Sequence, residues 1–265
     1  MNIYIHELKM YKKTAIVWNL SLIGVFALFM AMFPTIFSDA MLMQDMLSNF
    51  PEEFLRAFGM GSMDFSSEMG YYSYIFTYIL IAGSILAMNL GTSVLSEEIR
   101  ENTADFLLAK PIKRNKIVTA KILAVITLII ITNIIQIPTA KLILELVKKN
   151  NFDNKVFLMI SMTLLFMQIF FVSFGLFLSV LFKKIKSVVP ISLGSVFGFY
   201  IIQFLNESLD DEKLSYFTPF AYFDSNKIID SGGYDIKYLI LCAILVVIFT
   251  TVAYIVYSKK DIPSI

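Results

Sequence analysis

Apolar residues along this chain are gathered into long runs instead of alternating with polar ones. Six stretches contain no Asp, Glu, Lys, Arg or His: Thr14 to Phe37 (24 residues), Met69 to Ser96 (28), Ile122 to Ala140 (19), Val156 to Phe182 (27), Ser187 to Asn206 (20) and Tyr238 to Ser258 (21). A bilayer core about 30 Å thick takes about 20 predominantly apolar residues in helical form, because backbone groups in lipid must be satisfied within the segment. The pattern therefore predicts an all-α integral membrane protein with six transmembrane helices. No Gly/Pro/Ser linker or low-complexity tract divides residues 1–265, so they read as one transmembrane domain. The first run exceeds the roughly 7–15 apolar residues of a signal peptide, so it is expected to stay as an uncleaved span.

The segments between the runs fall into two alternating sets. Met1 to Lys13, Glu97 to Lys121, Lys183 to Lys186 and Lys259 to Ile265 hold 14 Lys/Arg in 49 residues; Ser38 to Glu68, Lys141 to Lys155 and Glu207 to Lys237 hold 8 in 77. Lys and Arg are retained in cytoplasmic loops, so the denser set is expected inside, with both termini cytoplasmic. Trp18, Tyr71, Tyr72, Tyr238 and Tyr257 lie towards span ends, where interfacial anchors belong. Ahead of the first span, Met1, Tyr4, Ile5, Leu8 and Tyr11 recur at helical spacing, with His6, Glu7, Lys9, Lys12 and Lys13 on other faces. That predicts an N-terminal amphipathic helix lying in the interface, its lysines reaching anionic lipid.

Composition agrees: 57% of residues are hydrophobic and 16% charged, against roughly 45–50% and 25% in a soluble domain. With 22 Lys/Arg against 21 acids there is no basic face to suggest nucleic acid as a partner. One cysteine, Cys242, and one histidine, His6, leave no disulfide framework, Cys/His metal cluster or histidine triad. No glycine is followed by lysine, so there is no P-loop, and the chain is expected to be no enzyme by itself.

Inside the predicted spans the polar side chains are amides, Ser and Thr. Ion-coupled transporters usually carry titratable groups there, so energy for any transport is expected from another chain. Asn89 and Gln168 are candidates for lining a pathway, although intramembrane amides also serve simply as hydrogen bonds between helices. Small residues at four-residue spacing, Gly83, Ala87 and Gly91 in the second span and Gly194 and Gly198 in the fifth, mark close helix contacts, within one chain or across a dimer seam.

The longest internal segment assigned to the cytoplasm is Glu97 to Lys121, EEIRENTADFLLAKPIKRNKIVTAK. Its first half reads as a helix stopped by Pro111. Ile99, Thr103, Phe106 and Leu107 fall on one face, with Glu98, Glu101, Asn102 and Asp105 opposite. Four acids precede five bases, and an acidic helix suits a protein groove better than an anionic leaflet. The segment reads as a docking element, with a membrane-surface helix as the alternative.

These residues also resemble a family. Glu98-Ile99-Arg100-Glu101-Asn102-Thr103, then Leu107-Leu108-Ala109-Lys110-Pro111, then Arg114 and Lys121, look like the signature after the second span of ABC-2-type ABC transporter permeases, with Asn102 where the family commonly has Gly. Leu47 to Gly59 resembles the helix these permeases place outside the membrane after the first span. Phe217-Thr218-Pro219-Phe220-Ala221-Tyr222-Phe223-Asp224 resembles the stretch before their last span. The resemblance implies that Glu98, Ile99, Arg100, Thr103, Phe106, Leu107, Leu108, Pro111 and Arg114 belong to a coupling helix seated in a cytoplasmic ABC ATPase subunit. That subunit would bind ATP and Mg, so no cofactor is expected in this chain. It implies a second permease chain enclosing the pathway, a plasma-membrane location, and export of an amphipathic or hydrophobic cargo. A scaffold or immunity protein recruiting a cytoplasmic partner through the same helix is the alternative.

The outer segment Ser38 to Glu68 is rich in Met and aromatics, with six acids against Arg56. It is expected either to pack as a lid on the helix ends or to meet cargo directly. Glu207 to Lys237 holds seven acids and three lysines, and its aromatic middle is expected to dip back into the membrane.

Overall fold

The computed structural model describes residues 2–38, 49–51, 55, 67–101, 113–182, 184–209 and 212–259. Six long helices carry the predicted spans: α1 (Ile3–Met30), continued after a turn at Ala31–Met32 by α2 (Phe33–Ser38), then α3 (Glu68–Arg100), α4 (Arg114–Val147), α5 (Asn154–Leu181) and α6 (Val189–Leu209). A 3₁₀ turn (Leu214–Phe217) and two short helices, α7 (Pro219–Tyr222) and α8 (Ser225–Ser231), lead to α9 (Ile236–Lys259). All six are long and apolar enough to cross a membrane, and no strand occurs among the described residues.

The charge-free runs locate the spans but understate the helices. α3 runs on to Arg100, and α4 begins seven residues before Lys121. The N-terminal segment departs from the expected interfacial helix: Ile3 to Met30 is one unbroken helix. Glu7, predicted on a polar face, is buried, whereas Ile5, predicted on the apolar face, is exposed. The inward stripe of α1 is Glu7, Tyr11, Ala15, Asn19, Leu22, Phe26 and Met30, at spacings of three and four.

α3 is the central post, buried over 83% of its apolar stretch, while α9 is buried over only 11%. Its main partner is α5. Gly91 lies against the carbonyl of Val172, and a Cβ at Gly175 would stand 2.8 Å from both Met88 O and Thr92 N. A side chain at either position would push the two backbones apart. Gly83 faces Leu164 and Gln168 in the same seam, and Ala87 is fully buried. Gly194 and Gly198 contribute nothing of this kind among the described residues, where an added Cβ at either would meet no atom within 4 Å.

Amide and hydroxyl groups tie the interior together as interhelical hydrogen bonds. Asn19 Nδ2 donates to Thr132 Oγ1 at 3.1 Å, and Gln136 Nε2 returns to Asn19 Oδ1 at 3.3 Å. Asn133 Nδ2 donates to Gln168 Oε1 at 2.7 Å. Tyr72 and Ser161 share a hydrogen bond of 2.7 Å. At one end of the bundle, Glu68 Oε1 accepts from the backbone N–H groups of Lys149 and Asn150, fixing the start of α3 to the α4–α5 turn. The α5–α6 connection is short, with Ile185 and Val188 buried within it; α6 packs mainly against α3 and meets α5 through Phe199, whose ring touches Phe170, Phe171 and Phe174.

The α3–α5 seam generates a contrast. Gly91→Ala or Gly175→Ala should lower stability by about 1–3 kcal/mol through overpacking. Gly194→Ala should leave it unchanged or raise it by up to about 1 kcal/mol through helix propensity. Thermal unfolding of the three variants in detergent checks this; equal effects at all three positions would contradict the assigned seam.

Candidate functional site

The site of interest is where α1, the end of α3 and the start of α4 converge. Lys121 opens one of the most apolar stretches in the chain, yet its side chain has no solvent exposure at all. An ammonium group has three N–H donors and no acceptor. All three are used: Nζ lies 2.8 Å from Glu7 Oε1, 2.5 Å from Glu98 Oε1 and 2.7 Å from the carbonyl oxygen of Val94. One cation thereby joins three helices.

Helical spacing explains why these groups meet. Val94 and Glu98 are four apart on α3 and share its inward face, so Lys121 reaches a carbonyl and a carboxylate one turn away from each other. Glu7 and Tyr11 are likewise four apart on α1. Tyr11 donates its hydroxyl to Glu97 Oε2 at 2.5 Å, and Arg100 Nη2 lies 3.6 Å from Glu97 Oε1 on the same helix end. α1 is thus bound to α3 twice, by the Glu7–Lys121–Glu98 bridge and by the Tyr11–Glu97 hydrogen bond.

The cluster holds more negative than positive charge, with Glu7 and Glu98 sharing one lysine. Each carboxylate keeps one buried oxygen, Oε2, without a protein partner among the described residues. Such an arrangement resists removal of the cation strongly, because an uncompensated buried charge costs far more than an intact network. It also makes the position of α3 relative to α1 an all-or-none matter, since Lys121 cannot slide along either helix without losing a short contact.

The residues predicted to dock an ATPase fall on both sides of this cluster. Glu98 faces inward and pairs with Lys121, with its side chain 16% exposed; Ile99 and Arg100 are half-buried at the end of α3, and Arg114 is half-buried at the start of α4. Thr103, Phe106, Leu107, Leu108 and Pro111 lie outside the described residues. Of the pathway candidates, Gln168 is fully buried and hydrogen-bonded to Asn133, whereas Asn89 is half-buried. The methionine-rich residues 39–48 and 56–66 also lie outside the described set.

Sequence reasoning missed the partnership of Glu7 with Lys121. A signal was present: Glu7 shares the face of Tyr11 by its four-residue spacing, and Lys121 stands directly before a charge-free run. Lys121→Met should therefore cost about 3–5 kcal/mol, because two carboxylates then face each other buried and unpaired. Glu7→Leu and Glu98→Leu added to it should restore most of that loss. Thermal unfolding in detergent reads both, and a triple variant as unstable as the single one would contradict the cluster.

A family model described as ABC-2 family transporter protein matches residues 1–262. No curated protein matches the chain. The match spans all six long helices and the Lys121 cluster. With six helices of membrane-crossing length, this multi-pass membrane protein therefore belongs to the ABC-2 transporter family.

Proposed function

We propose that this chain is the permease subunit of an ATP-driven exporter in the plasma membrane, moving an amphipathic or hydrophobic molecule such as a drug, peptide or lipid-like compound outward. A separate ATPase subunit binds ATP and Mg and seats the segment from Glu98 to Leu108 in its cleft. Both termini are cytoplasmic, which the excess of Lys and Arg on that set of segments supports.

The observation that carries this reading is the Lys121 cluster at the base of the docking segment. A push on that segment reaches Arg100 and Glu98 first, and Glu98 is bound through Lys121 to α4 and α1. α3 is in turn locked backbone to backbone against α5. Movement of the docking segment is therefore movement of four helices as a unit, which is what a rocking machine driven from outside the membrane requires. Interfaces of this kind switch between discrete arrangements because packed cores are not continuously deformable.

Two such chains enclose the pathway in this reading. The face of α6 with Gly194 and Gly198, flanked by exposed Leu193 and Phe197, meets no other helix among the described residues and is where a second copy would pack. Export is preferred over import because nothing in the sequence provides for a substrate-delivering receptor.

Reconstitution with the partner ATPase tests the coupling. Phe106→Asp and Leu107→Asp should each abolish the stimulation of nucleotide hydrolysis by the permease, by tenfold or more, while the chain still inserts and dimerises. Hydrolysis unchanged in both variants would overturn the assignment of this segment as the docking element.

A further inference from the structure

At the end of the bundle opposite Lys121, the outer turns of α3 and α6 and the α7–α8 segment enclose a small recess of about 60 Å³. Its walls combine aromatic residues, Tyr78, Tyr200 and Phe220, with three acceptors, Gln203, Glu207 and Asp224. Gln203 is only 7% exposed. Its Nε2 donates to Glu207 Oε1 at 2.6 Å, which fixes the amide orientation and leaves Oε1 as the free end. That Oε1 is buried and has no hydrogen-bond partner among the described residues. A buried carbonyl oxygen left without a donor costs about 1–3 kcal/mol, and none of the hydroxyl and amide groups that also line the recess, on Thr77, Tyr78, Tyr200, Ser225 and Asn226, meets it.

Charge points the same way. Glu207 and Asp224 place two carboxyl groups near one lysine, Lys227, and the whole segment from Glu207 to Lys237 has seven acids against three lysines. Asp224 also borders a wider recess of about 510 Å³ whose wall includes Asp230 and Asp235. A cationic donor would meet the free Gln203 Oε1 and the acids together. Aromatic rings beside carboxylates suit an organic cation, which gains attraction to ring faces as well as to the acids. The volume decides its size: a water occupies about 30 Å³ of liquid, so the recess admits a head group, while a drug-sized ligand needs a few hundred Å³ or more.

We propose that this recess binds the primary ammonium head of an amphipathic cation, with N–H groups donating to Gln203 Oε1 and to the Glu207 carboxylate, and with the apolar tail leaving past exposed Tyr78. This deepens the exporter reading by naming the class of cargo, and it rests on that reading for its role in transport, though not for binding.

The test uses the purified full chain in lipid nanodiscs, without the ATPase, and reads thermal unfolding against hexylammonium chloride. Hexan-1-ol, hexyltrimethylammonium chloride and calcium chloride serve as comparisons at matched ionic strength. The expected result is a saturable stabilisation by hexylammonium alone, with apparent affinity at least tenfold weaker in Gln203→Leu and in Glu207→Gln. Asp224→Asn, also expected to weaken binding, replaces either variant that fails to fold. Equal stabilisation by hexan-1-ol or calcium, no saturable response to hexylammonium, or unchanged affinity in the folded variants would overturn the proposal. Binding here without ATP-driven transport of the same compound would leave the recess standing and remove the exporter reading; transport without this binding would do the reverse.

Discussion

A single buried ammonium group organises one end of this protein. Lys121 has no access to water and spends its three donors on three different acceptors from two neighbouring helices. In a bundle whose other interior polar contacts are mostly amides and hydroxyls, dispersion between helices gives little orientation, because lipid tails are as good a partner as leucine side chains. A charge with fixed valence and short contacts supplies that orientation. It sets the height and rotation of α1 and α3 relative to α4, and everything attached to the end of α3 inherits that position.

The remainder of the bundle follows from how closely backbones approach. Gly91 and Gly175 let α3 and α5 touch without intervening side chains, so α3 is held electrostatically at one end and sterically along its middle. Glu68, accepting from the backbone of the α4–α5 turn, holds the other end. α6 and α9 lie outside this frame and are far less buried than α3, α4 and α5. A rigid frame of α1, α3, α4 and α5 with looser peripheral helices is a sensible division for a permease, since the rigid part can carry a push while the looser part opens a path or meets a second chain.

Much of the fold was legible because its physics is one-dimensional. A charge-free run of the right length crosses a bilayer whatever its neighbours do, and all six runs are helical in the structure. The Gly83-Ala87-Gly91 stripe likewise pointed to a contact face, and it is one. Gly175, on the other side of the seam, has only Ser179 at four-residue spacing, a weaker pair than the glycine stripe of α3, and emerged from the packing. Gly194 and Gly198 follow the same four-residue rule but meet no partner among the described residues, since spacing says that a face is smooth and not what it meets. The N-terminal segment misled for a related reason: amphipathic assignment placed every charged residue outward, whereas Glu7 turns inward because Lys121, 114 positions away, offers a better partner than water. Gln203 and Glu207 pair within α6 at four-residue spacing, but the recess they border forms only where the α7–α8 segment returns against α6.

The central claim, that Lys121 is buried and held by Glu7 and Glu98, is tested most directly by amine-reactive footprinting of the native protein with mass-spectrometric readout. Lys121 should stay unmodified under conditions that label Lys113 and Lys116 on the preceding turns, and it should gain reactivity in a Glu7→Gln, Glu98→Gln double variant. Labelling of Lys121 at the rate of Lys116 in the unaltered protein would contradict the account.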